Sequence, residues 1–184
     1  MRIIAGEFRG RTLLAPESDA TRPITDRAKQ SLFDILTPMI PDALVFDCFA
    51  GTRNMGLECL TRGAARVVFF QRDRSALARL RSNIQALGVT ERSMVIAGDI
   101  FKSVPTDATG VQLVFLDPPY RFLVEEAAKV VALVEQLSER HLSRDATVVF
   151  RHDAKDQLEL PRLARYDQRQ YGQMMIELLR PTKT

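Results

Sequence analysis

The stretch from Val111 to Tyr120, read Val-Gln-Leu-Val-Phe-Leu-Asp-Pro-Pro-Tyr, constrains this chain more than any other. An apolar run broken only by Gln112 suits a strand buried on both faces of a parallel sheet. It stops at Asp117-Pro118-Pro119-Tyr120. Prolines lack an amide hydrogen and have a fixed φ, so two in succession cannot extend a sheet ladder. A stiff loop at the carboxyl end of a strand is expected, at the edge where open α/β sheets bind ligands. The loop offers a carboxylate, the Pro118 carbonyl and an aromatic face. A flat ring with an exocyclic amine matches these parts. The ring would lie on Tyr120, its N–H bonds would point at Asp117 and the Pro118 carbonyl, and its lone pair would face an electrophile. A plain Asp-Pro turn is the simpler alternative at this point.

The rest of the chain repeats the strand, turn and helix theme. Ala43–Phe49 reads as a strand, Ala50–Gly56 as a glycine-containing turn, and a helix then runs to about Arg62 before Gly63. This is the form of a nucleotide-binding first βα unit, with Asp47 placed to meet a cationic ligand group. Ala65–Gln71 is a second strand, and a helix from about Asp73 to Leu87 stops at Gly88. Met94–Ala97 leads into Gly98-Asp99-Ile100-Phe101. A helical apolar stripe covers Val124–Leu137, and Ala146–Phe150 is a fifth strand. Leu163–Gln170 and Gln173–Leu179 form an antiparallel pair around Tyr171-Gly172. The alternation predicts an α/β fold, a mostly parallel sheet with helices on both faces and a terminal antiparallel hairpin. Loops after the first four strands share one edge. They bring together Asp47, Gly51, Gln71, Asp99 and Asp117, so a nucleotide-like cofactor site is expected there.

Ahead of this core, Met1–Ala15 alternates polar and apolar residues around Gly6 and Gly10, which suggests an appended β-hairpin. Arg2, Arg9 and Arg11 surround Phe8 there. Arginines beside an aromatic can grip phosphates and stack on a base, the alternative being a solvated face. Pro16–Pro23 reads as a loop, and Thr25 or Asp26 caps a helix reaching about Leu36. With 184 residues, one domain with a full core is expected: hairpin extension and loop (1–20), pre-core helix (21–40) and catalytic core (41–184). No apolar run approaches the roughly 20 residues of a membrane span, and no signal-peptide hydrophobic region opens the chain.

Two cysteines, Cys48 and Cys59, lack metal or redox spacing and read as reduced core thiols of a cytoplasmic protein. No Cys/His/Asp pattern suggests a metal. A net charge of +3 permits an anionic partner. His141 and His152 are expected at the surface or an edge. At least one of Met174 and Met175 is expected in the core. The Arg72–Arg81 helix reads as a solvated face, and Glu125-Glu126 as favourable charges at a helix N-terminus.

Taken together, the pattern resembles the bacterial 16S ribosomal RNA guanine-N2 methyltransferases over nearly the whole length. The matching residues are Met1–Gly6 with Arg9-Gly10-Arg11, Arg22-Pro23 with Thr25-Asp26-Arg27, and Asp47 with Phe49-Ala50-Gly51. Gly56-Leu57-Glu58, Arg62-Gly63-Ala64, Asn83, Asp117–Tyr120 and Tyr171-Gly172 complete the set. The resemblance implies a Rossmann-like methyltransferase fold with a seven-stranded sheet, and S-adenosylmethionine as cofactor. Asp47, Phe49, Ala50, Gly51, Asn54 and Gly56 would hold its methionine end, Gln71 with Arg72 its ribose, and Asp99-Ile100 its adenine. Thr25 is also assigned to the cofactor. Asp117, Pro118, Pro119 and Tyr120 would form the catalytic loop, and Arg2, Arg9, Arg11 and Arg22 would engage RNA. The implied partner is 16S ribosomal RNA or a small-subunit precursor particle, the expected state a monomer.

Two positions depart from the family pattern. Arg53 stands where relatives usually have glycine, and Gln71 where they usually have glutamate. A glutamate would accept both ribose hydroxyl bonds as a carboxylate, and charge-assisted bonds are roughly twice as strong as neutral ones. Two alternatives therefore stay open: a catalytically impaired RNA- or ribosome-binding relative, and a DNA adenine N6-methyltransferase, since the Asp-Pro-Pro-Tyr element also occurs in those enzymes.

Overall fold

Three apolar strands pair in parallel at the centre of the sheet because most of their residues are buried whichever face they point to. β1 (Leu44–Asp47), β2 (Arg66–Gln71) and β4 (Val111–Leu116) send Val45, Val67, Phe69, Leu113 and Phe115 into one core. Their alternate residues Phe46, Val68, Phe70, Val114 and Leu116 enter the other. The computed structural model describes residues 1–15, 24–51, 55–156 and 158–182. Arg22, Arg53 and Asn54 lie outside the described residues.

With β3 (Ser93–Ala97), β5 (Leu142–Asp153), β6 (Leu163–Tyr171) and β7 (Met174–Pro181), the sheet has seven strands in the order β3-β2-β1-β4-β5-β7-β6. β1 to β5 pair in parallel, and β7 returns antiparallel between β5 and β6. α1 (Asp26–Leu36), α2 (Met55–Thr61) and α3 (Arg74–Leu87) cover one face. α4 (Ile100–Ser103), α5 (Tyr120–Glu125) and α6 (Ala127–Arg140) contribute to the other. This is the expected Rossmann-like methyltransferase fold. No helix among the described residues is long and apolar enough to cross a membrane.

Three expectations need correction. The segment after β4 is two helices, and the first begins at Tyr120 itself. Pro119 at φ −52° is already set for a helical turn, and its carbonyl accepts the Phe122 N–H at 2.8 Å. Glu125 therefore ends α5, whereas Glu126 precedes α6 and pairs with Lys129 at 2.9 Å. β5 is far longer than Ala146–Phe150 and sweeps in its flanking polar residues. Both histidines are buried, not superficial: His152 within β5, and His141 at the end of the helix before it. His141 Nδ1 meets the Ala108 carbonyl, and the His152 ring stacks on Phe150 at 4.7 Å.

The N-terminal hairpin has a single bridge, Arg2 with Thr12, flanked by bonds from Ile3 N–H to Arg11 O at 3.0 Å and Leu13 N–H to Met1 O at 2.8 Å, and it is docked on the core. Glu58 of α2 is fully buried. Its two oxygens accept the Ile4 and Ala5 N–H groups at 3.1 and 2.9 Å, and also face Lys29 Nζ at 2.9 Å and Arg62 at 3.1 Å. Gly6, at φ +82°, lies so close to α2 that a side chain there would sit 2.1 Å from the Thr61 carbonyl. Further along, Asn83 on α3 mimics a strand partner. It accepts from Leu14 N at 2.9 Å and donates to Leu14 O at 3.2 Å.

Removing one member of a buried ion cluster leaves the others uncompensated and costs about 3–5 kcal/mol. Glu58→Gln should therefore lower stability by about 3 kcal/mol and release the arm. Urea unfolding, with trypsin cleavage at Arg9 and Arg11, measures both effects. Unaltered cleavage would refute the anchoring role.

Candidate active site at the carboxyl edge of the sheet

Each central strand ends in a polar residue, and local hydrogen bonding decides how much of that residue faces a ligand. Asp47, at the end of β1, is 4% exposed, and its Oδ2 accepts the Gly56 N–H at 3.0 Å. The carboxylate thus closes the turn onto α2. Gly56 is required by packing, since a Cβ there would lie 2.4 Å from Phe69. At the end of β2, Gln71 Oε1 accepts the Asp73 N–H at 2.8 Å, while Nε2 lies against Gly51. Gln71 therefore turns its amide toward the first loop and does not offer a free carbonyl.

Asp73 caps α3 by accepting the Ala76 N–H at 2.8 Å and the Ser75 hydroxyl at 2.9 Å. The Ala76 bond, then the Ser75 bond, pull its carboxyl below the ordinary range. Asp99 caps α4 through the Phe101 N–H at 3.2 Å. Thr25, assigned to the cofactor by resemblance, likewise caps α1 by accepting Ala28 N at 3.2 Å. Its neighbour Ile24 borders the site instead.

These ends surround a cleft of about 550 Å³, within the range of small-molecule sites. Phe49, Gly51, Gln71 and Arg72 line one part, and Asp99, Ile100, Asp117 and Pro119 the other. A smaller inner pocket holds Asp47 and Ala50 beside Asp117. Pro118 is buried beneath the loop, and Tyr120 and Gly56 do not line the cleft. An aromatic wall joins Phe49, Phe101 and Phe122, with ring centroids 6.1–6.3 Å apart. The Arg72 and Arg121 guanidiniums lie 4.9 and 5.6 Å from the Phe122 ring. Cys48 also lines the cleft, but burial first and Asp47 second push its thiol well up. It stays protonated at neutral pH, which argues against thiolate chemistry.

Arg151 is the functional candidate that sequence reasoning missed. It lies near the end of β5, and its Nε donates to Asp117 Oδ1 at 2.9 Å, with side-chain exposures of 4% and 12%. NH1 reaches Met174 Sδ at 3.5 Å, and NH2 is buried without a partner. The signal is present in the sequence, since the rule that strand ends carry the site applies to the fifth strand as well as the first four, but polar Arg151 and His152 mask the continuation of β5 beyond Phe150.

The basic arm is docked but still displays charge. Arg2 pairs with Asp26 at 3.0 Å, and Arg11 donates to the Ala86 carbonyl at 3.0 Å with its guanidinium 5.1 Å from the Phe8 ring. The exposed Arg9 guanidinium bonds to none of the described residues. Among the described residues no group of three His, Cys, Asp or Glu could hold a metal ion.

Arg151→Met should lower stability by about 3 kcal/mol, the cost of deleting one partner of a buried pair. The Arg151→Met/Asp117→Asn double variant should recover part of that loss. A double-mutant cycle by urea unfolding gives the coupling directly. Strict additivity would mean that the two groups do not interact.

Residues 1–180 match the family described as conserved hypothetical protein 95. A Bacillus subtilis (strain 168) protein whose name describes it as an rRNA methyltransferase is 34% identical over 165 residues, 88% of this chain and 86% of that protein. Ribosomal RNA small subunit methyltransferase D of Escherichia coli (strain K12) is 38% identical over 132 residues, 71% of this chain and 66% of that protein. A solved Escherichia coli structure described as a methyltransferase superposes with a TM-score of 0.85 at 29% identity, covering 100% of this chain and 99% of that one. The chain belongs to the conserved hypothetical protein 95 family, and its fold is that of the Rossmann-like methyltransferases.

Proposed function

We propose that this chain is an S-adenosylmethionine-dependent methyltransferase of ribosomal RNA, and that its target is the exocyclic N2 amine of a guanine in 16S ribosomal RNA. One observation carries the reading. A carboxylate fixed by a buried arginine stands at the mouth of a nucleotide-sized cleft, on a strand that ends in two prolines. Its relatives named as rRNA methyltransferases support ribosomal RNA over DNA, and activity over an impaired site.

The residues present suit the cofactor. Phe49 and Ile100 offer apolar and aromatic contact for an adenine, with Asp99 at its edge. Gln71 and Asp73 stand where a ribose would lie, and Gly51 beside Asp47 would receive the methionine end. S-adenosylmethionine, when bound, supplies a methyl group on a positively charged sulfur.

The chain's own groups would do the rest by alignment. The guanine amine is a poor nucleophile because its lone pair is delocalised into the ring. Asp117 and the Pro118 carbonyl would accept its N–H bonds, and those bonds strengthen as the nitrogen becomes positive. Because Arg151 holds Oδ1, the carboxylate cannot swing away from that position. No covalent intermediate is needed, and placement with fixed negative charge supplies most of the acceleration. Arg2, Arg9 and Arg11, with Arg22, would hold phosphates of the RNA or precursor particle while the base is extruded into the pocket.

Asp117→Asn keeps the side-chain shape and should reduce methyl transfer to small-subunit RNA by at least about 10²-fold. Cofactor affinity by calorimetry should barely change. Undiminished transfer would remove Asp117 from the mechanism. Gln71→Glu should tighten S-adenosylmethionine binding several-fold, because one oxygen can keep the Asp73 N–H while the other receives a ribose hydroxyl. Titration of both proteins tests this, and weaker binding by the glutamate variant would show that Gln71 does not face the ribose.

A further inference from the structure

A second cleft, of about 770 Å³, opens between the end of β5, the β6–β7 hairpin and the segment that follows Asp153. It is on the sheet face that carries α5 and α6, since its walls include Leu160, Leu163 and Leu179 of that core. Successive residues of a strand point to opposite faces. Arg151 therefore turns to Asp117, and His152, one position on, turns into this cleft.

Two buried polar atoms of the lining lack partners, His152 Nε2 and Asp156 Oδ2. His152 Nδ1 lies 2.8 Å from the Asp153 carbonyl oxygen. A carbonyl can only accept, so Nδ1 carries a proton, and in the neutral tautomer this leaves, Nε2 presents a lone pair. That Nε2 belongs to a residue 5% exposed and has no hydrogen-bond partner. Asp156 Oδ2 is also buried without a partner. Glu177 Oε1 stands 3.8 Å from His152 Nε2 and is shared with Arg165 at 2.7 Å. Asp156, Glu159 and Glu177 line the cleft against the one guanidinium of Arg165, so the charge balance favours a cation. Buried acceptors without donors are costly, and a ligand rich in N–H groups would satisfy them.

We propose that this cleft binds an aliphatic polyamine. Its ammonium groups would donate to His152 Nε2 and to the Asp156 and Glu177 carboxylates, and its methylene chain would lie on the leucine wall. The volume is within the range of small-molecule sites, which favours a small ligand over a protein surface. Too few ligating side chains converge among the described residues to suit a metal ion instead.

The test is calorimetric titration of spermidine into the full chain without RNA, at low ionic strength. The neutral diol 1,4-butanediol serves as control, and the His152 Nε2 resonance is followed by nitrogen NMR. One-site saturable binding with a shift of that resonance is expected. Asp156→Asn and, separately, His152→Phe should each weaken binding about tenfold, the effect of losing one charge-assisted bond. His152→Phe retains a ring to stack on Phe150, so the test survives if the other variant folds poorly. Three results would each overturn the proposal: no saturable binding, binding by both variants as tight as by the unaltered chain, or binding of a lysine-rich peptide without binding of spermidine.

Discussion

A single buried carboxylate, Glu58, holds the N-terminal third of this protein together. Two backbone amides of the arm, an ammonium from α1 and a guanidinium from its own helix all converge on its two oxygens. Each group alone would be expensive to bury, and a buried ion cluster is weak grounds for added stability. What the cluster supplies is a unique arrangement. An apolar contact would let the arm slide over α2, whereas four directed partners admit one register. Arg62 adds a second constraint by lying 4.6 Å from the Phe33 ring of α1. The basic arm and the turn after β1 are thus fixed to opposite ends of the seven-residue helix α2.

The ends of the strands follow a complementary rule. In the buried stretches 45–46, 67–70 and 113–116 of β1, β2 and β4 every side chain is apolar because both faces are covered, so at the centre of the sheet polar groups enter where the ladder stops. There each is held by a local bond: Asp47 by Gly56 N–H, Gln71 by Asp73 N–H, Asp99 by Phe101 N–H and Asp117 by Arg151. These bonds settle which atoms remain for a ligand. Residue type alone does not.

This also explains what could be read from the chain. The parallel core was legible because its strands are short apolar runs closed by glycine, proline or a charge, and β4 was located to the residue. The terminal hairpin was legible from its turn at Tyr171-Gly172. The extent of β5 was hidden, since Ser143, Arg144, Asp145, Arg151 and His152 break the apolar signal that local pattern depends on. Their places are set by pairing with β4 and β7, a non-local cause. Arg151 was missed, and His152 was placed at the surface, for that reason. The role of Glu58 was equally invisible, because only Arg62 lies at a local spacing while Lys29 and Ile4 stand 29 and 54 positions away.

The docking of the arm has a consequence for biosynthesis. The chain is made from its N-terminus, yet residues 2–14 find their partners at Glu58, Thr61, Asn83 and Ala86. The arm, carrying Arg2, Arg9 and Arg11, is therefore made before its docking partners and docks only after α2 and α3 have emerged and packed on the sheet. Gly6 fits its niche only once the Thr61 carbonyl is in place. The arm is thus made ahead of the surface that receives it, and only its internal turn, closed by the Ile3 N–H to Arg11 carbonyl bond, forms from its own residues.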